Sequence, residues 1–202
     1  MVYDNWVFPK YKVTVVKELA RLIPRNGRVL DVGCNDGYLA MLLMQTRPDL
    51  KIEGVDIQNH KKSLIPRKIY DGKNLPYKDN SFDTVMAIDV LHHIPGEIKS
   101  LLAEMKRVSK SNMLIKDHMA NNWRGNFWLS ITDWFANVQF GIRCTFNFLS
   151  EKEWQKLFRE LNLMVSDRID NIHFGYKGDK KYHWVVMLKK EHGDYRDRSR
   201  VM

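Results

Sequence analysis

Cysteine is scarce in this chain. Only Cys34 and Cys144 occur among 202 residues, too few and too far apart for a disulfide framework or a zinc site, so both are read as reduced thiols. No apolar run approaches the roughly 18–20 residues that span a bilayer. The opening MVYDNWVFPK lacks the basic-then-apolar layout of a signal peptide, and the expectation is a cytoplasmic protein. Internal repeats and low-complexity tracts are missing, and so are long stretches of one charge sign. The formal net charge of +9 would attract nucleic acid, anionic lipid or an acidic substrate. The basic residues, however, alternate with acids in EIKSLLAEMKRVSK and EHGDYRDRSR, which argues against a dedicated nucleic-acid surface. The histidines show no ligand spacing such as H-E-x-x-H, so no metal site is expected; His60, His173, His183 and His192 read as surface or strand residues.

What is present suits one domain: 44% of the residues are hydrophobic and 11% aromatic, enough for a single core. Val13, Val16, Leu19, Ala20 and Ile23 recur at helical spacing until Pro24 and Gly27 stop them, so a first helix is expected over Tyr11 to Ile23. GRVLDVG, KIEGVDI, KIY, SFDTVMAID and SNMLIKDH read as five strands. GYLAMLLMQ and the stripe Ile98, Leu101, Leu102, Met105 and Val108 read as helices between them. Strands that are apolar almost throughout, alternating with helices, predict an α/β fold with a parallel sheet covered on both faces. Ser150 and Glu153 form a capping box ahead of Trp154, Leu157, Phe158 and Leu161. LMVSDRID and YHWVVMLKK end the fold, and residues 191–202 read as a charged tail.

The stretch VLDVGCNDGYLA carries the first chemistry. Glycines in a strand–turn–helix unit let the backbone approach a ligand, and Asp56, about twenty residues on at a strand end, is placed to accept the hydroxyls of a ribose. A dinucleotide fingerprint needs glycine where this chain has Asn35 and Tyr38, so NAD and FAD fit poorly. Asp31, two residues before Gly33, would repel phosphates and suit a cationic ligand.

On these residues VLDVGCNDG resembles the first motif of class I S-adenosylmethionine-dependent methyltransferases. RPDLKIEGVDI and YDGKNLPYKDNSFDTVMAIDVLHHI are similar to that family's second strand and to its adenine loop with the fourth strand, in the branch that acts on small molecules. The resemblance implies a Rossmann-like, doubly wound sheet of seven strands, mostly parallel with an antiparallel last strand, in one domain over residues 1–190. It implies S-adenosylmethionine as cofactor. Gly33, Cys34, Asn35 and Gly37 would lie beside its methionine part, with Asp31 close by. Asp56 would hold the ribose and Ile57 would lie against the adenine. Asp71 and Gly72 would line the adenine edge, and Asp89 and Val90 would face the amine or the methyl group. Asn35 departs from the family's middle glycine, but asparagine tolerates left-handed backbone angles, so an adapted turn is expected.

An alcohol or phenol acceptor would need a base. Candidates lie where strands four and five end. LIKDHM puts Lys116, Asp117 and His118 there, with Asp117 able to orient His118 only if the strand has already ended. His92 and His93 follow strand four, with packing, capping or base roles. After strand five, residues 118–149 read as a helical aromatic insertion, with Phe127, Ile131, Trp134, Phe135 and Val138 on one stripe. Its alternatives are added core, a lid over a hydrophobic acceptor, or contact with a membrane surface. As a lid it would bring Trp123, Trp128, Trp134 and Phe135 to the substrate. The leading reading is O- or N-methylation of a small, hydrophobic or aromatic acceptor. An RNA or protein acceptor, and a non-catalytic S-adenosylmethionine-binding partner module, are the competing ones. Nothing in the sequence indicates an oligomeric state.

Overall fold

A segment apolar on both sides cannot lie at a surface, and Arg28–Val32 (β1) is buried at every residue after Arg28. The computed structural model describes residues 8–59, 62–94, 96–137, 148–172 and 182–191, without the side chains of 8, 9, 128, 132, 133 and 135–137. Its other strands are Lys51–Asp56 (β2), Arg67–Ile69 (β3), Phe82–Ile88 (β4), Ser109–His118 (β5), Leu163–Asp170 (β6) and His183–Lys190 (β7). They form one seven-stranded sheet in the order β3-β2-β1-β4-β5-β7-β6. Pairing is parallel from β3 through β5, and β7 runs antiparallel between β5 and β6. The expected Rossmann-like α/β sheet with its antiparallel last strand is the one observed.

Helices cover both faces. Phe8–Leu22 (α1) and Tyr38–Thr46 (α2) pack Val15, Leu19, Ala40 and Leu43 against Val29, Ile52, Met86 and Leu114. Ile98–Val108 (α3) and Glu151–Glu160 (α5) pack Leu102, Met105, Trp154 and Phe158 against Leu30, Val85, Ile115 and Val186. Each fully buried side chain of this size contributes about 1.5–3 kcal/mol. Helix α5 starts as expected: Ser150 caps it and its backbone N–H donates to Glu153 Oε2 at 2.7 Å, completing the box. Helix α1 starts three residues earlier than expected, and Val15 replaces Val13 on its inner face; Val13 is 62% exposed.

Alternation of strand and helix fails at two crossovers. Neither the β2–β3 nor the β3–β4 connection holds a helix among the described residues. The buried side chains of Ile65 and Leu75, with Tyr77 packed on the rim, cover the sheet there instead. The expected insertion helix forms as Trp123–Asn137 (α4), but with its aromatic stripe outward: Phe127 is 59% and Trp134 46% exposed, while Leu129 and Gly125 face inward. Trp128 and Phe135 lie outside the described side chains, as do Val138, Cys144 and residues 192–202 of the tail. Among the described residues no helix is long and apolar enough to cross a membrane.

Gly37 and Gly96 both have φ of +80°, yet a Cβ on Gly37 would meet Ile65 Cγ1 at 2.5 Å whereas one on Gly96 meets nothing within 4 Å. Gly96→Ala is therefore expected to cost only the left-handed backbone penalty of about 1–2 kcal/mol. Gly37→Ala adds an overpacking cost of about 1–3 kcal/mol. Urea denaturation of the two variants checks the difference; equal midpoints would show that Ile65 yields freely.

Candidate active site

Sheet order reverses between β1 and β4, and crevices beyond the carboxyl ends of parallel strands open at such a switch. The turn after β1 lies there. Gly33 and Cys34 extend the sheet by donating their backbone N–H groups to Val55 O at 2.8 and 3.1 Å, and Gly37 N closes the turn on Cys34 O at 2.8 Å. Gly33, Asn35 and Gly37 all adopt positive φ, so asparagine takes the left-handed angle expected of it. Gly33 is also required by contact, since a Cβ would stand 2.5 Å from Val90 Cγ2. Arg67, which sequence reasoning missed, ties the turn by donating to Asn35 O at 2.7 Å.

Two carboxylates converge on this turn, and a third follows β4. Asp56 accepts from Asn35 N at 2.7 Å on one oxygen and from Gln58 N at 2.8 Å on the other. Each oxygen keeps a lone pair for a further donor. Asp31 is 4% exposed, and among the described residues its carboxylate receives no hydrogen bond. Burial, reinforced by the charge of Asp56, pushes its pKa up to about 7. Such an orphaned buried acid calls for a cation or a strong donor. Asp89 ends β4 at φ +54°, a strained angle for a residue with a side chain. Meanwhile Asp36 already caps α2, accepting from Tyr38 N at 3.0 Å. The turn thus offers negative charge where a dinucleotide site would offer free N–H groups, and its residues fit the sulfonium and ribose of S-adenosylmethionine.

The remaining expected cofactor residues are placed unevenly. Cys34 lends its backbone, but its thiol turns inward onto Gly54, where an added Cβ would collide with Sγ, and burial pushes that thiol up to about 12, an inert state. Ile57 stands exposed beside Gly72 at the rim. Asp71 serves its own loop, accepting from Lys73 N and Asn74 N at 2.8 and 2.7 Å.

Beyond β4 and β5 lies a buried polar cluster. Lys116 is wholly buried, and its ammonium donates to Asp89 Oδ1 at 2.5 Å, Tyr11 Oη at 2.6 Å and His183 Nδ1 at 3.2 Å. The Tyr11 phenol donates in turn to Asp89 Oδ2. Burial and then the charge of Asp89 push the Tyr11 pKa well up. Burial opposes ionisation of Asp89, but Lys116 and His118 outweigh it and the net direction is down.

Asp117 pairs most closely with His92, which the sequence did not suggest, and also stands beside His118, which it did. Strand β5 runs through His118, pairing it with His183, yet the Asp117 carboxylate still reaches the neighbouring His118 ring. Asp117 Oδ1 lies 2.5 Å from His92 Nδ1 and 3.7 Å from His118 Nδ1. It also accepts from the backbone N–H groups of Leu91, His92 and His118. With burial opposed by the His92 and His118 rings and these donors, its pKa lies well below the usual carboxylate range. His92, Asp117 and His118 offer ligand atoms within 4.8 Å of one another; the donors already on Asp117 make them a hydrogen-bonded set. His92 is buried against Phe148, with ring centroids 5.4 Å apart. His93 lies against His92, ring centroids 4.0 Å apart and planes tilted by 45°. His118 keeps partial exposure, and its Nδ1 stands 3.5 Å from Asp89 Oδ1. Trp123 and Trp134 stand outward on α4, 73% and 46% exposed. Sequence reasoning missed Tyr11 and His183, which carry no local motif.

A family model described as a methyltransferase domain matches residues 3–167. A tRNA U34 carboxymethyltransferase of Nautilia profundicola is 36% identical over 92 residues, 40% of this chain and 30% of that protein. The 27-O-demethylrifamycin SV methyltransferase of Amycolatopsis mediterranei is 36% identical over 92 residues, 38% and 34% of the two chains. The chain thus spans about a third of the length of these curated relatives. Among solved structures, an S-adenosylmethionine-dependent methyltransferase from Thermotoga maritima superposes with a TM-score of 0.65 at 18% identity, covering 94% of this chain and 95% of that one.

Asp31 sets a pH dependence opposite to that of a salt-bridged acid. Its pKa rises from 3.8 unfolded to about 7 folded, so between those values the folded state holds the proton and stability falls as pH rises, by roughly 4 kcal/mol across the window. Thermal melts of the ligand-free protein from pH 4 to 8 are expected to show that decline, and Asp31→Asn to flatten it. An unchanged slope in the variant would mean that Asp31 is ionised throughout.

Proposed function

The chain belongs to the class I S-adenosylmethionine-dependent methyltransferases, and from that premise we propose that it methylates a small, hydrophobic or aromatic acceptor at oxygen or nitrogen. The observation that carries this reading is the Asp31 carboxylate, unpartnered among the described residues, beside Asp56 on a glycine turn, an acidic cradle at the switch point of the sheet. When bound, S-adenosylmethionine supplies a methyl group already activated on a sulfonium.

The residues around the cradle then have separate tasks. Asp56 accepts the ribose hydroxyls through its free lone pairs while its bonds to Asn35 N and Gln58 N hold the turn closed. Asp31 meets the positive charge of the donor. His118 is the group that takes a proton from a hydroxyl acceptor. Asp89 and Asp117, both near its Nδ1, favour the proton on that nitrogen and leave Nε2 as the base. The exposed face of α4, with Trp123 and Trp134, is the surface that would close over an aromatic acceptor and exclude water.

A second reading, an RNA acceptor, draws on the likeness to a tRNA-modifying relative and on the charge of +9. Methyl transfer from labelled S-adenosylmethionine to pooled metabolites and to bulk tRNA separates the two. Incorporation into metabolites at any salt supports the first, and incorporation confined to tRNA and lost with rising salt supports the second.

Calorimetric titration with S-adenosylhomocysteine is expected to show Asp56→Ala weakening binding at least tenfold, since both hydroxyl contacts and the turn are lost. His118→Ala should keep that affinity and lower kcat by about 100-fold to 10,000-fold. Unaltered affinity in the first variant would remove Asp56 from the site.

A further inference from the structure

His118 is surrounded by groups that pull its proton in opposite directions. Asp89, ending β4, and Asp117, on β5, face its Nδ1 and favour the charged ring. Against them stand the ammonium of Lys116 on the same strand, the ring of His183 from β7 with centroids 4.4 Å apart, and the ring of His92 from the turn Leu91–His93 at 5.1 Å. The Phe148 ring, 5.8 Å away, adds apolar surface, and Tyr11 from α1 closes the far side of the ammonium.

We propose that Lys116 is a positioning residue for proton transfer: its buried ammonium, fixed on Asp89, Tyr11 and His183, keeps His118 neutral and ready to accept a proton. The consequence for turnover rests on the role given to His118 above; the effect on the ring does not. Two carboxylates so close would by themselves favour the imidazolium, a form that can accept nothing. Lys116 reverses that bias in two ways. It neutralises Asp89 through a 2.5 Å ion pair, and it repels a second positive charge in the same buried space. It also donates to His183 Nδ1, so His183 carries its proton on Nε2 and stays neutral as well. Burial first and Lys116 second push both rings down, His183 furthest. The network spans α1, β4, β5 and β7, so its geometry does not depend on one mobile side chain.

Histidine-selective isotope labelling of the full chain, with titration of each ring by NMR, reads this directly. In the native protein His118 is expected to titrate below the ordinary value of about 6.5. Lys116→Gln should raise it by about one pH unit or more, while Lys116→Arg, which retains the charge, should leave it low. The acid limb of the kcat profile should move with the ring, so that turnover at pH 6 falls about tenfold for each pH unit by which the ring midpoint climbs above 6. A native His118 titrating at or above the ordinary value overturns the proposal without any variant, should Lys116→Gln fail to fold. So does a ring that stays in place in a folded Lys116→Gln. A ring that moves while the rate profile stays fixed upholds the role of Lys116 and removes His118 as the base.

Discussion

One buried ammonium organises the reactive end of this molecule. Desolvating a lysine costs several kcal/mol unless good partners surround it, and Lys116 meets its partners from three other elements: Tyr11 of α1, Asp89 at the end of β4 and His183 of β7. Removing Asp89 leaves the ammonium without its counter-charge in the interior, and removing Tyr11 or His183 takes away a hydrogen bond. The requirement therefore locks the first helix and the antiparallel strand onto the two strand ends beyond which the acceptor would lie. It also explains why Asp89 can hold a left-handed backbone angle, since its carboxylate is fixed from two sides.

A second constraint acts at the cofactor end and has the opposite character. Among the described residues Asp31 is buried without a donor, a standing cost. On the proposed reading a cation would offset that cost on binding, and the differential attraction would appear as affinity. Asp56, by contrast, is satisfied by the backbone and keeps the turn in shape.

How much of this was legible in the sequence follows from how local each feature is. The glycine turn, the positive φ at Asn35 and the placing of Asp56 depend on contacts within about twenty residues, and the strand–turn–helix pattern revealed them. Tyr11 and His183 join the site only through the sheet, the first across 105 positions from Lys116 and the second across 67, and no spacing rule reaches that far. Pairing of Asp117 with His92 was hidden for a related reason: only the folded turn after β4 brings His92 to the carboxylate. On α4 the periodicity correctly indicated a helix yet could not say which face is inward, and among its described side chains Leu129 is buried while Trp123, Phe127 and Trp134 are exposed. Between KIEGVDI and SFDTVMAID the sequence offered no helical stripe, and there loops such as 70–81 supply the covering layer.

Placing Tyr11 and His183 on either side of one lysine has a consequence for biogenesis. During synthesis Tyr11, Asp89 and Lys116 all leave the ribosome before the strand that bears His183, so the growing chain holds the lysine short of its last partner. The reaction chamber is thus a late product of folding, closed when the penultimate strand of the sheet slides in between its neighbours. A nascent or C-terminally cleaved chain could keep the glycine turn and its acids, and with them the means to sequester the methyl donor, while lacking the finished chemistry.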